Sequence, residues 1–214
     1  MVMIAAILSA IIWNLITWYF GIPNSSSHAL IGALTGAALA DAGASAVKLR
    51  GLGKVVLFLV ISPIAAISVG YVVFSIFKVI FKKANLGRAN FIFRRLQILT
   101  AAVQAFSHGT NDAQKSMGII TMALVAHGYL DKLVIPHWVQ ILCALAMALG
   151  TSIGGWRVIK TVGTRIMKLK PVNAVAADVS SALVIQAATY FGMPVSTTHV
   201  ISSSIMGVGA ANRI

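Results

Sequence analysis

The chain has 214 residues, of which 58% are hydrophobic and 10% are charged, and its mean hydropathy is +0.90. Since a soluble domain carries about 25% charged residues, this composition excludes an ordinary soluble domain and indicates a membrane protein. The net charge is +13, with 17 Lys and Arg against 4 acids. Because the basic residues lie between apolar runs, they indicate membrane topology and not a nucleic-acid partner.

Four apolar stretches meet or approach the length of about 20 residues that a membrane-spanning helix needs. In chain order they are 1–20, 54–81, 138–154 and 172–191. Four shorter apolar pieces lie next to clusters of Gly, Ser, Thr, Asn or Pro: 28–40, 96–106, 116–127 and 199–211. Unwound backbone survives at membrane depth only where protein or water satisfies it, and transporters bind their cargo at such places. The sequence therefore predicts an all-α polytopic membrane protein, a transporter with broken or re-entrant helices.

The basic residues form three clusters, which run from Lys48 to Lys54, from Lys82 to Arg95 and from Arg157 to Lys170. If 96–127 crosses once as a broken helix, the last two clusters lie on one side, which the positive-inside tendency makes cytoplasmic. The first cluster then lies outside. The segment 157–170 mixes apolar and basic residues, so it is either an interfacial helix or a plain loop.

Two segments far apart in the chain have similar sequences. Thr17–His28 aligns with Ala188–His199. Six pairs of positions are identical: Tyr19/Tyr190, Phe20/Phe191, Gly21/Gly192, Pro23/Pro194, Ser25/Ser196 and His28/His199. Such a pair predicts two halves built alike, related by inversion. We divide the chain into part of a first repeat (1–47), a span with a basic inter-repeat loop (48–95) and a second repeat (96–214).

Inversion sets a condition on the topology, because Gly21 and Gly192 must lie on opposite faces of the membrane. An odd number of crossings must then separate them. The predicted spans between them number four: 54–81, 96–127, 138–154 and 172–191. Either 28–47 also crosses, or 96–127 is a hairpin that returns.

The repeated loops carry hydroxyl triplets, Ser25–Ser27 and Ser196–Thr198, directly after a proline. Pro23 and Pro194 stop the preceding helix, and the hydroxyl residues supply N-caps for the helix that follows. A helix N-terminus with free N–H groups and several hydroxyl donors is suited to bind an anion. Two such loops can hold a tetrahedral oxyanion from both sides. The alternative is that the triplets only cap re-entrant helices.

His28 and His199 follow the two triplets. One interpretation is a proton-sensitive donor near the anion. The favoured one is a buried imidazole that bonds a loop carbonyl and holds the turn. Since no histidine has the spacing of a metal ligand, we expect no metal centre.

A third polar cluster lies between two apolar half-segments, in Phe106–Gly118. Asp112 is its only acid, and a carboxylate at membrane depth indicates a function because it is costly to place there. Asn111 and Asp112 offer hard oxygen ligands for a small cation or a proton, and Gln114 can donate to an anion. Lys115 either neutralises Asp112, faces the substrate or snorkels from a helix end. The alternative for the whole cluster is a loop outside the membrane.

The two loops Gly21–His28 and Gly192–His199, together with Phe106–Lys115, resemble the inorganic phosphate transporter family, and its bacterial low-affinity members in particular. The three motifs occur in the family's order and cover nearly the whole chain. The resemblance implies an α-helical secondary transporter that moves phosphate or metal-phosphate by symport. It places Ser25, Ser26, Ser27, Ser196, Thr197, Thr198 and Gln114 at the phosphate, with Asn111 and Asp112 at the coupling ion.

The same resemblance implies a proton or sodium as the coupling ion, a divalent metal only as part of the cargo, and no other cofactor. The expected partners are inorganic phosphate and the lipid bilayer of the inner membrane, without nucleic acid, and a homodimer is compatible with the pattern. Family members carry another Asn-Asp motif before the first hydroxyl loop and a closing span after the second. Neither occurs here, so we expect a partial chain.

Two other functions remain open from the residues. The first is a transporter of sulfate or another tetrahedral oxyanion. An acceptor such as Asp112 favours hydrogen phosphate, which carries a proton that sulfate lacks. The second is a membrane phosphohydrolase that uses His108, Asp112 and His199. A second carboxylate near Asp112 and a nucleophile elbow are both missing from the sequence, which disfavours an enzyme.

Overall fold

The computed structural model describes residues 2–83, 86–161 and 170–213, with the side chains of all but 86–89, 157 and 213. In these ranges the chain forms seven α-helices and one short 3₁₀ turn, with no strand. They are α1 (Val2–Tyr19), α2 (Ser26–Ala42), the 3₁₀ turn (Ala44–Ala46), α3 (Leu49–Ile80), α4 (Leu86–Ala126), α5 (His137–Thr161), α6 (Pro171–Tyr190) and α7 (Thr197–Arg213). The prediction of an all-α protein is confirmed. The segment 162–169, on which the choice between an interfacial helix and a loop depends, lies outside the described residues.

Four helices are long and apolar enough to cross a membrane: Val2–Tyr19, Leu49–Ile80, His137–Trp156 and Pro171–Tyr190. They coincide with the four apolar stretches identified in the sequence. Large apolar side chains stay exposed on them, among them Leu57, Val60 and Ile64 of α3, as expected of helices that face lipid tails. The chain is a multi-pass membrane protein.

The segment 96–127 is part of one continuous helix, since α4 runs for 41 residues from Leu86 to Ala126. At a rise of about 1.5 Å per residue it is roughly 60 Å long. The prediction of a broken helix in this segment is therefore wrong, and a hairpin at 96–127 is excluded. Of the two ways to reach an odd number of crossings, the crossing by 28–47 stays a prediction.

The polar cluster within α4 does not unwind the backbone, because its side chains find partners on the helix itself. Ser107 donates to the carbonyl of Val103 at 2.9 Å. Lys115 pairs with Asp112, one turn earlier, at 2.7 Å. With these polar groups satisfied and no proline in the segment, the backbone keeps its own hydrogen bonds.

The described residues group into two compact units. The first consists of the chain up to Lys48 together with Gly109–Val158, and the second of Leu49–His108 together with the described part of Ile159–Ile214. This grouping reflects contacts within the chain. The repeat boundaries at 1–47, 48–95 and 96–214 stay a prediction.

In the first unit, a hydrogen bond connects the C-terminal end of α1 to α5. The indole N–H of Trp18 donates to the carbonyl of Gly154 at 2.8 Å. Ala113 of α4 packs with Val139 and Cys143 of α5 in a small buried cluster. The first repeated loop therefore leaves α1 from a position fixed by packing.

In the second unit, α3 and α7 approach each other closely at two glycines. A side-chain carbon on Gly70 would lie 2.6 Å from the carbonyl oxygen of Ser204, and one on Gly207 would collide with the carbonyl of Ile67. Small residues allow such close approach between membrane helices. The buried apolar residues of this unit form two clusters: Phe74, Ala176, Ala177, Ile205, Val208 and Ala211; and Ala66, Ile185, Ala188, Val195 and Val200. The second repeated loop lies between α6 and α7 of this packed unit.

Candidate functional site

The two repeated loops begin with the same helix termination. Gly21 has a φ of 65° and donates to the carbonyl of Trp18 at 3.0 Å, and Gly192 has a φ of 64° and donates to Thr189 at 3.0 Å. In each loop the next amide bonds one residue further back, at 2.9 and 2.8 Å. This left-handed ending favours glycine, which has no Cβ. The identical glycines of the repeat thus have one structural role in both copies.

Both loops also end in the same helix start. Ser25 accepts a hydrogen bond from the backbone N–H of His28 at 3.1 Å, and Ser196 accepts one from His199 at 3.2 Å. Both serine side chains are buried, with exposures of 3% and 1%. The predicted N-capping by the first residue of each triplet is confirmed.

The other hydroxyl residues differ between the loops. In the first loop Ser27 is buried and Ser26 is exposed. In the second loop Thr197 is buried and Thr198 is half-buried. The two triplets therefore share a backbone geometry but turn different hydroxyls toward the interior of their units.

The expectation of a buried imidazole is wrong for both His28 and His199. His28 is exposed, and its Nδ1 lies 2.7 Å from the Oγ of Ser25. His199 is exposed as well. The cap serine of the first loop is thus one polar partner of the His28 ring.

In the first unit, α4 brings its charged pair to the first hydroxyl loop. The ammonium of Lys115 donates to Asp112 Oδ1 at 2.7 Å and to Ser27 Oγ at 2.5 Å. The side chains of Lys115 and Asp112 are 15% and 11% exposed. Asn111 is buried, whereas Gln114 is exposed on α4. The structure thus joins Asp112 to Ser27 through a lysine, and the sequence left the role of that lysine open.

In the second unit, α4 brings two other residues to the second loop and to α6. His108 Nε2 lies 3.3 Å from the Oγ1 of Thr197. Gln186 of α6 donates to the Oγ of Ser107 at 3.2 Å. Each hydroxyl loop therefore lies beside a polar residue of α4, although 88 and 89 residues of chain separate the partners.

A further polar contact in the second unit was not predicted from the sequence. Thr100 of α4 donates to the carboxylate of Asp178 on α6 at 3.0 Å. One turn after Thr100, the amide nitrogen of Gln104 is buried and has no hydrogen-bond partner among the described residues. A signal was present, because Asp178 is the only acid in the predicted span 172–191 and such an acid indicates a function by default.

The described part of the chain contains no group of three or more His, Cys, Asp and Glu side chains that could hold a metal ion. The oxygen atoms near Lys115 come from Asp112 and Ser27. Carboxylate and hydroxyl oxygens suit hard cations such as sodium.

Comparisons with known proteins agree on one family. The sequence profile of the phosphate transporter family matches residues 1–91 and 82–214. A protein of Bacillus subtilis named "Probable low-affinity inorganic phosphate transporter" is 59% identical over the whole chain, and one of Rhizobium meliloti with the same name is 45% identical. The chain spans 64% of the length of each of these two relatives.

A solved structure has the same fold. Its title is "The sodium-dependent phosphate transporter", and it superposes with a TM-score of 0.82 at 24% sequence identity. The match covers 98% of this chain and 70% of that one. The arrangement of helices described above therefore exists in a solved membrane protein.

Proposed function

Because this chain belongs to the phosphate transporter family, we propose that it moves inorganic phosphate across a cell's inner membrane as a secondary symporter. The cargo is free phosphate or phosphate bound to a divalent metal, and the driving ion is a proton or sodium. The family consists of transporters and not of enzymes, so no covalent step is required. A transporter needs to bind the anion, release it on the other side and couple these events to an ion gradient.

The observation that carries this proposal is the matching geometry of the two hydroxyl loops. Each presents a capped helix N-terminus with buried hydroxyls, in α2 and in α7. Free N–H groups and the positive end of a helix dipole stabilise an anion. Hydroxyl donors replace part of the water that a phosphate loses when it enters the protein.

We assign the phosphate ligands to the two triplets, Ser25–Ser27 and Ser196–Thr198, with Gln114 as a further donor. The exposed position of Gln114 on α4 gives this last assignment the least structural support. Asn111 and Asp112 are assigned to the coupling ion. Burial of Asn111 and the low exposure of the Asp112 side chain support a role away from bulk water.

The choice between phosphate and sulfate rests on the family and not on Asp112. An acceptor facing the anion would favour hydrogen phosphate, but one oxygen of Asp112 already accepts from Lys115. Donors alone do not distinguish the two anions. Sulfate transport is therefore kept as the competing outcome of the experiment.

The experiment is uptake of radiolabelled phosphate into liposomes that contain the purified chain. We expect saturable uptake driven by an inward gradient of protons or sodium, which unlabelled phosphate abolishes and excess sulfate leaves largely intact. Equal competition by sulfate would assign the chain to oxyanions in general. Uptake no greater than in empty liposomes would contradict the proposed function.

A further inference from the structure

Lys115 has two oxygen atoms of the first unit among its partners. Its ammonium lies 2.7 Å from a carboxylate oxygen of Asp112 and 2.5 Å from the hydroxyl of Ser27. The Lys115 side chain is 15% exposed and Ser27 is 1% exposed. A charge in such surroundings is retained only where an opposite charge and hydrogen bonds compensate it.

This position is not that of a snorkelling lysine. A snorkelling side chain extends toward water and leaves its charge there. Lys115 instead turns to Ser27, in the first turn of α2. The positive end of the α2 dipole disfavours a cation beside the N-terminus of that helix. The ion pair with Asp112 compensates this unfavourable interaction.

Carboxylate and other oxygen atoms are also the kind of ligand that hard cations prefer, and sodium is a hard cation. The ammonium already occupies the space between the oxygens of Asp112 and Ser27, and a second cation there would meet a like charge at close range. Because the ammonium is covalently attached to the chain, its occupancy of this position does not depend on the concentration of any ion in solution. The carboxylate of Asp112 therefore stays neutralised whatever ions the solution contains.

We propose that Lys115 is a specificity-determining residue whose ammonium fills the cation position between Asp112 and Ser27. The proposal rests on the proposed function, because it assigns the source of positive charge beside one hydroxyl loop of the phosphate site. The tethered ammonium neutralises the Asp112 carboxylate, which would otherwise repel a dianion at this loop, and it makes binding there independent of sodium. The coupling ion assigned to Asn111 and Asp112 is then a proton. Removing the ammonium leaves a carboxylate without its cation, in a site that a soluble sodium ion can fill.

The test compares radiolabelled sodium binding to the purified wild-type chain and to Lys115→Met. We expect no saturable sodium binding at this site in the wild type and saturable binding in the variant. Binding should vanish again in Lys115→Met/Asp112→Asn, which lacks both charges. Lys78→Met is the matched control, since Lys78 bonds the carbonyl of Ala211 in the other unit.

A stability measurement makes the test independent of transport. Sodium chloride should raise the unfolding temperature of Lys115→Met and of Lys115→Gln, since a ligand that binds only the folded state stabilises it. Choline chloride at the same concentration should not raise it. Phosphate uptake by Lys115→Met should require sodium, and Lys115→Arg should behave as the wild type does. Sodium binding that is equal in wild type and Lys115→Met, or absent from both, would overturn the proposal. Failure of wild-type phosphate uptake would count against the proposed function, while sodium binding would still report on Lys115.

Discussion

Asp112 is the acid on which the charge balance of the first hydroxyl loop depends. Its replacement by Asn leaves the ammonium of Lys115 without a carboxylate, beside the N-terminus of α2. We expect Asp112→Asn to lower coupled phosphate uptake at least tenfold, since the loss of about 1.4 kcal/mol of interaction already corresponds to a factor of ten. Lys48→Gln removes an exposed charge and should leave uptake nearly unchanged.

Initial rates of labelled phosphate uptake, normalised to the amount of protein in the liposomes, measure both variants. Equal rates in Asp112→Asn and Lys48→Gln would contradict the assignment of Asp112 to the site.

Asp178 is an acid within α6, one of the four helices long and apolar enough to cross a membrane. It is half-buried on α6 and accepts a hydrogen bond from Thr100. Because a carboxylate is costly at membrane depth, we expect a transport role, and Asp178→Asn should lower uptake. Asp131 is exposed in the loop before α5, so Asp131→Asn is the matched control.

We expect Asp178→Asn to lower the rate of phosphate uptake about three- to tenfold. This is the effect of losing a hydrogen bond to a charged group, which is worth roughly 1 kcal/mol or more. Uptake and unfolding temperature are measured together. A variant that is less stable but transports at the wild-type rate would make Asp178 a structural residue only.

At the scale of the elements, the repeated loops were the most predictable part of the chain. The sequence pairs Gly21 with Gly192 and Ser25 with Ser196, and the structure gives each pair the same backbone geometry. This agreement has a local cause, because helix endings and N-caps are decided by residues a few positions apart.

The continuity of α4 was not predictable from the same kind of reasoning. A run of polar residues between two apolar half-segments has the composition that is typical of an interrupted membrane helix. Whether the helix breaks depends on whether its polar side chains find partners. Ser107 and Asp112 find them within α4, and Lys115 and His108 also contact Ser27 and Thr197, which lie far away in the chain. A sequence pattern does not encode such contacts, so the helix was predicted wrongly.

Helix packing in the second unit leads to a prediction with an internal control. Gly36 and Gly207 lie eight residues after the aligned His28 and His199, so they are equivalent positions of the repeat. Of the two, only Gly207 contacts the backbone of a neighbouring helix. Gly207→Ala should destabilise the chain by roughly 1–3 kcal/mol, the usual effect of an added group in a full contact. Gly36→Ala should be neutral or stabilise by up to about 1 kcal/mol, because Ala is the better helix former.

The unfolding temperature of each purified variant in detergent measures this difference. A Gly207→Ala variant as stable as Gly36→Ala would show that α3 and α7 do not approach as closely as described.

At the scale of the whole molecule, composition and the lengths of the apolar stretches were sufficient to predict an all-α membrane protein and its four spans. Those features depend on the bilayer thickness and on backbone hydrogen bonding, which act on every residue of a span. The single acid of α6 was overlooked because Asp178 lies in an otherwise apolar span with no motif around it. Its contact with Thr100 became visible only from the packing of α4 on α6.

Equilibrium binding of radiolabelled phosphate to the purified chain tests most directly whether the two hydroxyl loops bind phosphate. The wild type should bind phosphate saturably, and Ser27→Ala combined with Thr198→Val should weaken binding about tenfold or more, since the proposed site makes each hydroxyl a donor to the charged phosphate. Ser75→Ala is the control, because Ser75 is half-buried on α3 and bonds its own helix. Weaker binding in the loop variant with normal binding in the control is the predicted result, and unchanged affinity in the loop variant would contradict it.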